Sequence, residues 1–225
     1  MKKSYDTVAF FYDRLSHFVF GDKLMEAQTA FLQHIPPGTS ILLIGGGSGL
    51  LLERIAAVHP TGLTIEYIDA SAAMVALSRE RGAGNNTVNF NVQDVLQVAL
   101  PPQSFDLIIT PFLFDNFSEH TAGKVFAHLA AALRPGGHWY YTDFQNKTPL
   151  RYKVLLKIMY TFFRTMCGIE ARKLPDVTTL FHNSRYEEHH RREFMHGFIV
   201  SCVFSLASKQ NQLHGNSKTG NKTQM

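Results

Sequence analysis

Two cysteines among 225 residues, Cys167 and Cys202, exclude a disulfide framework and a cysteine zinc cluster. They suit a reducing compartment, so the cytoplasm is the expected location. No uninterrupted apolar stretch approaches the roughly 20 residues that a membrane-spanning helix needs. The opening residues reach Asp6, Asp13 and Arg14 before any apolar run develops, which argues against a secretory leader. A broad basic footprint is missing as well. The formal net charge is +4, yet beyond Ser208 the chain carries Lys209, Lys218 and Lys222 and no acid. Without that tail the body is close to neutral, and no nucleic-acid partner is expected. Charged residues make up only 18% against 45% hydrophobic, with 18 Phe, which is enough apolar material for a real core and excludes wholesale disorder.

The length fits one domain with small appendages. Between residues 41 and 144, short apolar runs alternate with stretches of helical periodicity, as in a parallel α/β sheet. Strands are expected at 41–44, 64–68, 88–92, 105–110 and 138–142. Helices are expected at 50–58, 71–81 and 118–133, the last stopped by Arg134-Pro135-Gly136-Gly137. Residues 1–35 read as a helical cap rich in aromatics (Phe10, Phe11, Tyr12, Phe18, Phe20). Residues 36–207 form the main domain, with a helical insertion at about 145–190 and two further strands in 185–207 meeting near Gly197. The polar, Gly/Asn-rich stretch 208–225 is expected to be disordered. The fold class is α/β: a doubly wound, mostly parallel seven-stranded sheet with helices on both faces.

The chemistry concentrates at strand ends. Gly45-Gly46-Gly47-Ser48-Gly49 follows the first strand and opens a helix, where bare backbone turns tightly and lets a ligand approach. The spacing is G-x-G-x-G. The third glycine of a dinucleotide fingerprint is replaced by Leu50, which disfavours a nicotinamide enzyme. Asp69 ends the second strand, where a carboxylate accepts the hydroxyls of a ribose, and Asp94 follows the third. One crevice thus receives a glycine loop and two acids, an arrangement suited to an adenosine-containing ligand.

Taken in order, 41–49 (ILLIGGGSG), 67–71 (YIDAS), 92–95 (VQDV), 104–109 (SFDLII) and 133–137 (LRPGG) resemble class I S-adenosylmethionine-dependent methyltransferases. The resemblance implies a Rossmann-like methyltransferase fold with S-adenosyl-L-methionine as cofactor. Gly45, Gly46, Gly47 and Gly49 would hold its methionine part, Asp69 with Ala70 its ribose, and Asp94 with Val95 its adenine. Thr110, Pro111 and Phe112 would border the sulfonium. Leu43 departs from the family, which often has an acid two residues before the first glycine. The ends, 5–13 (YDTVAFFYD) and 194–200 (FMHGFIV), are similar to the ubiquinone/menaquinone methyltransferase group.

Each of these residues has a plainer reading too. Asp69 is also a natural start for the following helix, and Asp94 a turn residue. Asp106 sits at the wrong end of its strand for chemistry, as does His138. Asp143, beyond the carboxyl end of the fifth strand, reads as a base, a substrate contact or a solvated loop acid. His120 lies with Asp115 and Asn116 near the expected methyl acceptor, where Ser118 or Asn116 also serves as a helix cap. Tyr12 reads as a cavity wall or as ordinary packing. Asp143, His120 and Tyr12 are the catalytic candidates.

His189 and His190 are neighbours in a strand and should point to opposite faces, so no metal role is expected. Residues 147–173 hold seven Lys or Arg against Glu170 alone. Helix 150–166 therefore reads either as an interfacial element making peripheral membrane contact or as a core helix with a basic edge. The leading function is methyl transfer to a small, apolar or quinone-like acceptor. The alternative is a non-catalytic cofactor-binding or partner-docking protein, and methylation of RNA or protein is disfavoured by the neutral body. The sequence leaves the oligomeric state open.

Overall fold

The computed structural model describes residues 20–146, 149–150, 152, 154–157, 161 and 173–207. The catalytic candidate Tyr12, most of helix 150–166 and the tail 208–225 lie outside these residues.

Short helix α1 (Lys23–Gln28) and a 3-10 turn (Leu32–His34) lead into β1 (Ser40–Ile44). Next come α2 (Leu50–Val58), β2 (Thr61–Asp69), α3 (Ala72–Arg79), β3 (Asn85–Val92) and β4 (Phe105–Pro111). A second 3-10 turn (Phe114–Asn116) precedes α4 (Glu119–Ala132) and β5 (Leu133–Phe144). The described chain ends with α5 (Val177–Asn183), β6 (Tyr186–Phe194) and β7 (Ile199–Leu206). The seven strands form one sheet in the order β3-β2-β1-β4-β5-β7-β6. The first five are parallel, and β7 inserts antiparallel between β5 and β6. This is the doubly wound, mostly parallel sheet expected from the alternation.

Central β1 (SILLI) is buried beyond Ser40 because a parallel strand covered on both faces must be apolar throughout. Leu42 and Ile44 enter one core layer, while Ile41 and Leu43 enter the other, as a two-residue period demands. The first layer is aromatic. Trp139 stacks on Phe126 at 5.1 Å, meets Phe181 edge-on at 5.0 Å, and donates its indole N–H to Thr110 Oγ1 at 2.9 Å. Leu43, fully buried in the second layer, faces α2 and Tyr140 rather than the crevice.

Element boundaries moved for identifiable reasons. β3 begins at Asn85, ahead of the apolar run, because Asn86 accepts from Leu63 N–H (2.9 Å) and donates to His59 O (2.7 Å). β5 begins at Leu133, where a stop was expected. Its register jumps from Leu133 opposite Phe105 to His138 opposite Leu107, so residues 134–137 bulge outward. Asp106 anchors that bulge, accepting from Arg134 Nη1 (2.6 Å) and Ser40 N–H (2.9 Å). These bonds outweigh its desolvation and hold its carboxyl below the ordinary value, in keeping with a structural role.

α4 starts one residue later than expected because Ser118 is its N-cap, accepting from Thr121 N–H at 3.3 Å. Replacing Ser118 by alanine is expected to cost about 1 kcal/mol, measured as a lower denaturation midpoint at unchanged slope. An unchanged midpoint would assign the start of α4 to packing alone.

Candidate active site

The carboxyl ends of β1, β2 and β4 frame the glycine loop. Gly45, Gly47 and Gly49 all have positive φ (72°, 63° and 84°), which only glycine adopts without strain. A Cβ at Gly49 would stand 2.7 Å from Ser78 Cα, so this glycine lets α2 and α3 pack closely. A Cβ at Gly47 would meet nothing within 4 Å and project into open space. The loop therefore turns bare backbone toward an opening at Gly47.

Asp69 ties that loop to β2. Its Oδ2 accepts from Gly47 N–H (3.0 Å) and its Oδ1 from Ser71 N–H (2.9 Å). A carboxylate offers about four acceptor sites, so these two bonds do not exhaust it. Tyr67, fully buried, adds a brace that the sequence reading missed: its hydroxyl donates to Gly47 O at 2.7 Å, and its ring occupies the space a Cβ on Gly46 would need. Strand parity was the available signal, since Tyr67 shares its face of β2 with Asp69. Replacing Tyr67 by phenylalanine should weaken cofactor binding about fivefold, the loss of one ordinary hydrogen bond. Calorimetric titration with S-adenosylhomocysteine reads it, and unchanged affinity would remove Tyr67 from the site.

Asp94 follows β3 in a tight turn, its Oδ1 accepting from Leu96 N–H at 2.9 Å. Val95 is buried beside it, and Ala70 is exposed at the crevice rim. Thr110 departs from the expectation of a cofactor contact. Its side chain is fully buried and bonded to Trp139, and so faces the core.

The loop after β4 closes the other side. Phe112 has φ of 48°, a strained conformation for a bulky residue and one often found where function dictates the backbone. Asn116 Nδ2 holds the loop by donating to Phe112 O and Leu113 O, each at 3.1 Å. Leu113 Cδ1 lies 3.3 Å from the point a Cβ on Gly45 would occupy, so the two loops touch. Behind them stand aromatic rings: Phe112 and Phe144 at 4.8 Å, Phe144 and Phe198 at 5.0 Å, and Tyr152 stacked on Phe198 at 4.8 Å.

Asp143 is 1% exposed. Its Oδ2 accepts from Phe114 N–H (3.1 Å) and its Oδ1 from Phe144 N–H (2.8 Å). Burial nevertheless pushes its carboxyl up to about 7, against the lowering effect of backbone donors at Phe144, Phe114 and Asp115. Asp115 is partly exposed as a residue, but its carboxyl is enclosed; burial first, and then the Asp143 charge, raise it well above the carboxylate range. The two titrate as a pair that holds a proton near neutrality. Of the readings open for the catalytic candidate Asp143, the solvated loop acid is excluded: it lies within β5 as a buried brace. His120 is exposed on the first turn of α4.

Among the described residues, none of the His, Cys, Asp and Glu side chains form a group of three or more placed to share a metal ion. The residues present do fit an adenosine-containing cofactor: open space at Gly47, a carboxylate at Asp69 and aromatic faces beside Phe112.

Comparison with known proteins agrees with this geometry. Residues 41–137 match the family model described as "Methyltransferase domain". The chain is 31% identical over 109 residues to malonyl-[acyl-carrier protein] O-methyltransferase 1 of Ilyobacter polytropus, covering 48% of this chain and 39% of that one. It is 27% identical over 219 residues to the ubiquinone/menaquinone biosynthesis C-methyltransferase UbiE of Ectopseudomonas mendocina, covering 94% and 83%. The chain thus spans only about two fifths of the first of these relatives. Among solved structures, the 1,6-didemethyltoxoflavin-N1-methyltransferase of Burkholderia thailandensis superimposes with a TM-score of 0.61 at 15% identity, covering 89% of this chain and 88% of that one. At that identity the likeness speaks to the fold alone.

Proposed function

Residues 41–137 belong to the methyltransferase domain family, and on that premise we propose that this chain transfers a methyl group from S-adenosylmethionine to a small, apolar, quinone-like acceptor in the cytoplasm. The observation that carries this reading is the contact between Leu113 and Gly45. It sets the glycine loop directly against Phe112, the partly exposed edge of a layer backed by buried Phe144 and Phe198, beside which a flat apolar acceptor would be held.

The cofactor, when bound, supplies an electrophilic methyl on a sulfonium. The chain's own residues do the rest. Gly47 and Asp69 fix the nucleoside, so that the acceptor meets the methyl at near-attack distance. Phe112, the partly exposed ring backed by buried Phe144, presents a face that stabilises positive charge and excludes water. Asp143 acts as a positioning residue, fixing the loop through the Phe114 N–H. The proton that an acceptor carbon or hydroxyl gives up leaves to water, since the enclosed Asp115 carboxyl already favours its protonated form. His120, exposed on the first turn of α4, has no role in this scheme.

A membrane-dissolved acceptor is consistent with Leu150 and Val154, which are 76% and 52% exposed one helical turn apart, with Lys157 exposed after them. No helix among the described residues is long and apolar enough to cross a membrane.

The test is incubation of the full chain with S-adenosylmethionine labelled in the methyl group and a total lipid extract. Label in the organic phase is expected. Retention of bound cofactor with no label transferred to lipid, small molecule, RNA or protein would favour the non-catalytic alternative instead. Label found only in RNA or protein would overturn the acceptor class.

A further inference from the structure

At the opposite pole of the sheet, beneath the amino-terminal ends of β4 and β5, lies a cavity of about 460 Å³. Among the residues lining it are His34, His138, His190, Tyr140, Arg134 and Asp106. They arrive from separate elements: His34 from the turn before β1, His138 from β5 just after its bulge, and His190 from β6.

The opposite-face expectation for His189 and His190 fails here. β6 slips register between Glu188 and His190, so that His190 stands opposite Val203 while His189 bonds Ser205 Oγ at 2.6 Å. Both rings therefore lie on the His138 side. His189 is 6.2 Å from His138, and His190 is 5.6 Å from His34 and 5.8 Å from Phe31, centroid to centroid.

Two histidines elsewhere in the fold are committed to backbone carbonyls. His59 bonds Leu32 O at 2.7 Å and His128 bonds Val98 O at 3.0 Å. The imidazoles of His34, His138 and His190 make no hydrogen bond among the described residues. We infer that this cavity is a second binding site, for a small molecule bearing an oxyanion such as a phosphate or carboxylate group, received by the His34, His138 and His190 rings.

Charge bookkeeping supports an anion rather than a cation. Asp106, the acid lining the cavity, is already matched by Arg134 and the Ser40 N–H. Tyr140 stays neutral, its hydroxyl pushed up to about 12 by burial. Glu187 lies in register with Ser205, beyond His189. What remains is three imidazoles, flanked by a fourth in His189. His138 is already held below its ordinary value by burial and then by the His189 and His190 charges, a repulsion that a bound anion relieves. Ring walls at His34, His190 and Tyr140 suit the flat or apolar remainder of such a ligand, and the volume is that of a metabolite site.

The experiment follows histidine ring protons by NMR in the full chain while inorganic phosphate, or acetate in a second arm, is added at pH 6 and pH 8. Phosphate is expected to shift the His34, His138 and His190 resonances and to leave those of His59 and His128 in place. Apparent affinity should be about tenfold higher at pH 6 than at pH 8. H138Q and H190Q should each weaken it severalfold while S-adenosylhomocysteine still binds at the far pole, which shows that the variants fold. A response to acetate alone would assign the site to carboxylates. Equal shifts at all histidines, no shift with either ion, or unchanged binding in both variants would overturn the proposal. None of these outcomes depends on methyl transfer.

Discussion

Replacing Asp69 by alanine should reduce S-adenosylhomocysteine affinity by at least about a hundredfold while the protein stays folded. A carboxylate that receives ribose hydroxyls makes charge-assisted hydrogen bonds worth about 1.5–3 kcal/mol each, and two of them correspond to two to four orders of magnitude. Asp69 also holds the Gly47 N–H and the Ser71 N–H, so its loss loosens the loop proposed to hold the methionine end. α3 retains its own cap, Ser71 Oγ accepting from Met74 N–H at 3.2 Å, and the core layers are untouched. The thermal midpoint should therefore move by only a few degrees. Asparagine in place of Asp69 keeps the volume and one acceptor but swaps the other oxygen for a donor facing an N–H. It should be nearly as damaging to binding. Calorimetric titration decides the matter. Wild-type affinity in both variants would leave Asp69 as a loop brace and nothing more.

The features legible in the sequence share one property: each is local. The G-x-G-x-G spacing declares positive φ angles because nothing but glycine tolerates them. The apolar run at 41–44 declares a doubly covered strand because both of its faces must be dry. Asp69 could be placed at a strand end by counting. What stayed hidden depends on partners far away in the chain. Asp143 looked like a crevice acid, since its reach to the Phe114 N–H crosses 29 residues of sequence separation. Thr110 looked like a cofactor contact because strand position does not reveal that Trp139 would claim its hydroxyl. Tyr67 read as core, and it is core, yet its hydroxyl end reaches the glycine loop. β6 violated strand parity through a one-residue slip that no pattern in 186–194 announces, and that slip assembles the histidine cavity. Short-range rules placed the scaffold and the glycine loop, while side-chain allegiance across the sheet had to be seen.

Asp143 offers the second large effect, and its sign is unusual for an acid. Its carboxyl stands at about 7 in the folded chain against 3.8 when exposed. Between those values the folded state binds more protons than the unfolded state, so the stabilising contribution is full below about pH 4 and is lost as pH rises through 7. At about 1.4 kcal/mol per pKa unit, the swing attributable to Asp143 is on the order of 4 kcal/mol, and the raised Asp115 carboxyl acts in the same direction. Asp106, whose carboxyl is lowered, works in the opposite direction but contributes equally to wild type and variant. Asp143→Asn cannot titrate. Its stability curve should therefore lose the Asp143 share of the decline from pH 4 to 7, while Asp115, raised first by its own burial, keeps its own; the two proteins should be furthest apart at the acid end, with wild type more stable. There the asparagine amide faces one of the two backbone N–H groups that the carboxyl oxygens now satisfy, at a cost of about 1–3 kcal/mol. The same substitution releases the loop carrying Phe112 and Phe114, so kcat should fall at least about tenfold by misplacing the acceptor, with S-adenosylhomocysteine affinity held within about threefold. Chemical denaturation at four pH values and single-turnover methyl transfer together separate these effects. Parallel stability curves would mean that Asp143 is ionised throughout the range, and an unchanged kcat would detach the loop it braces from catalysis.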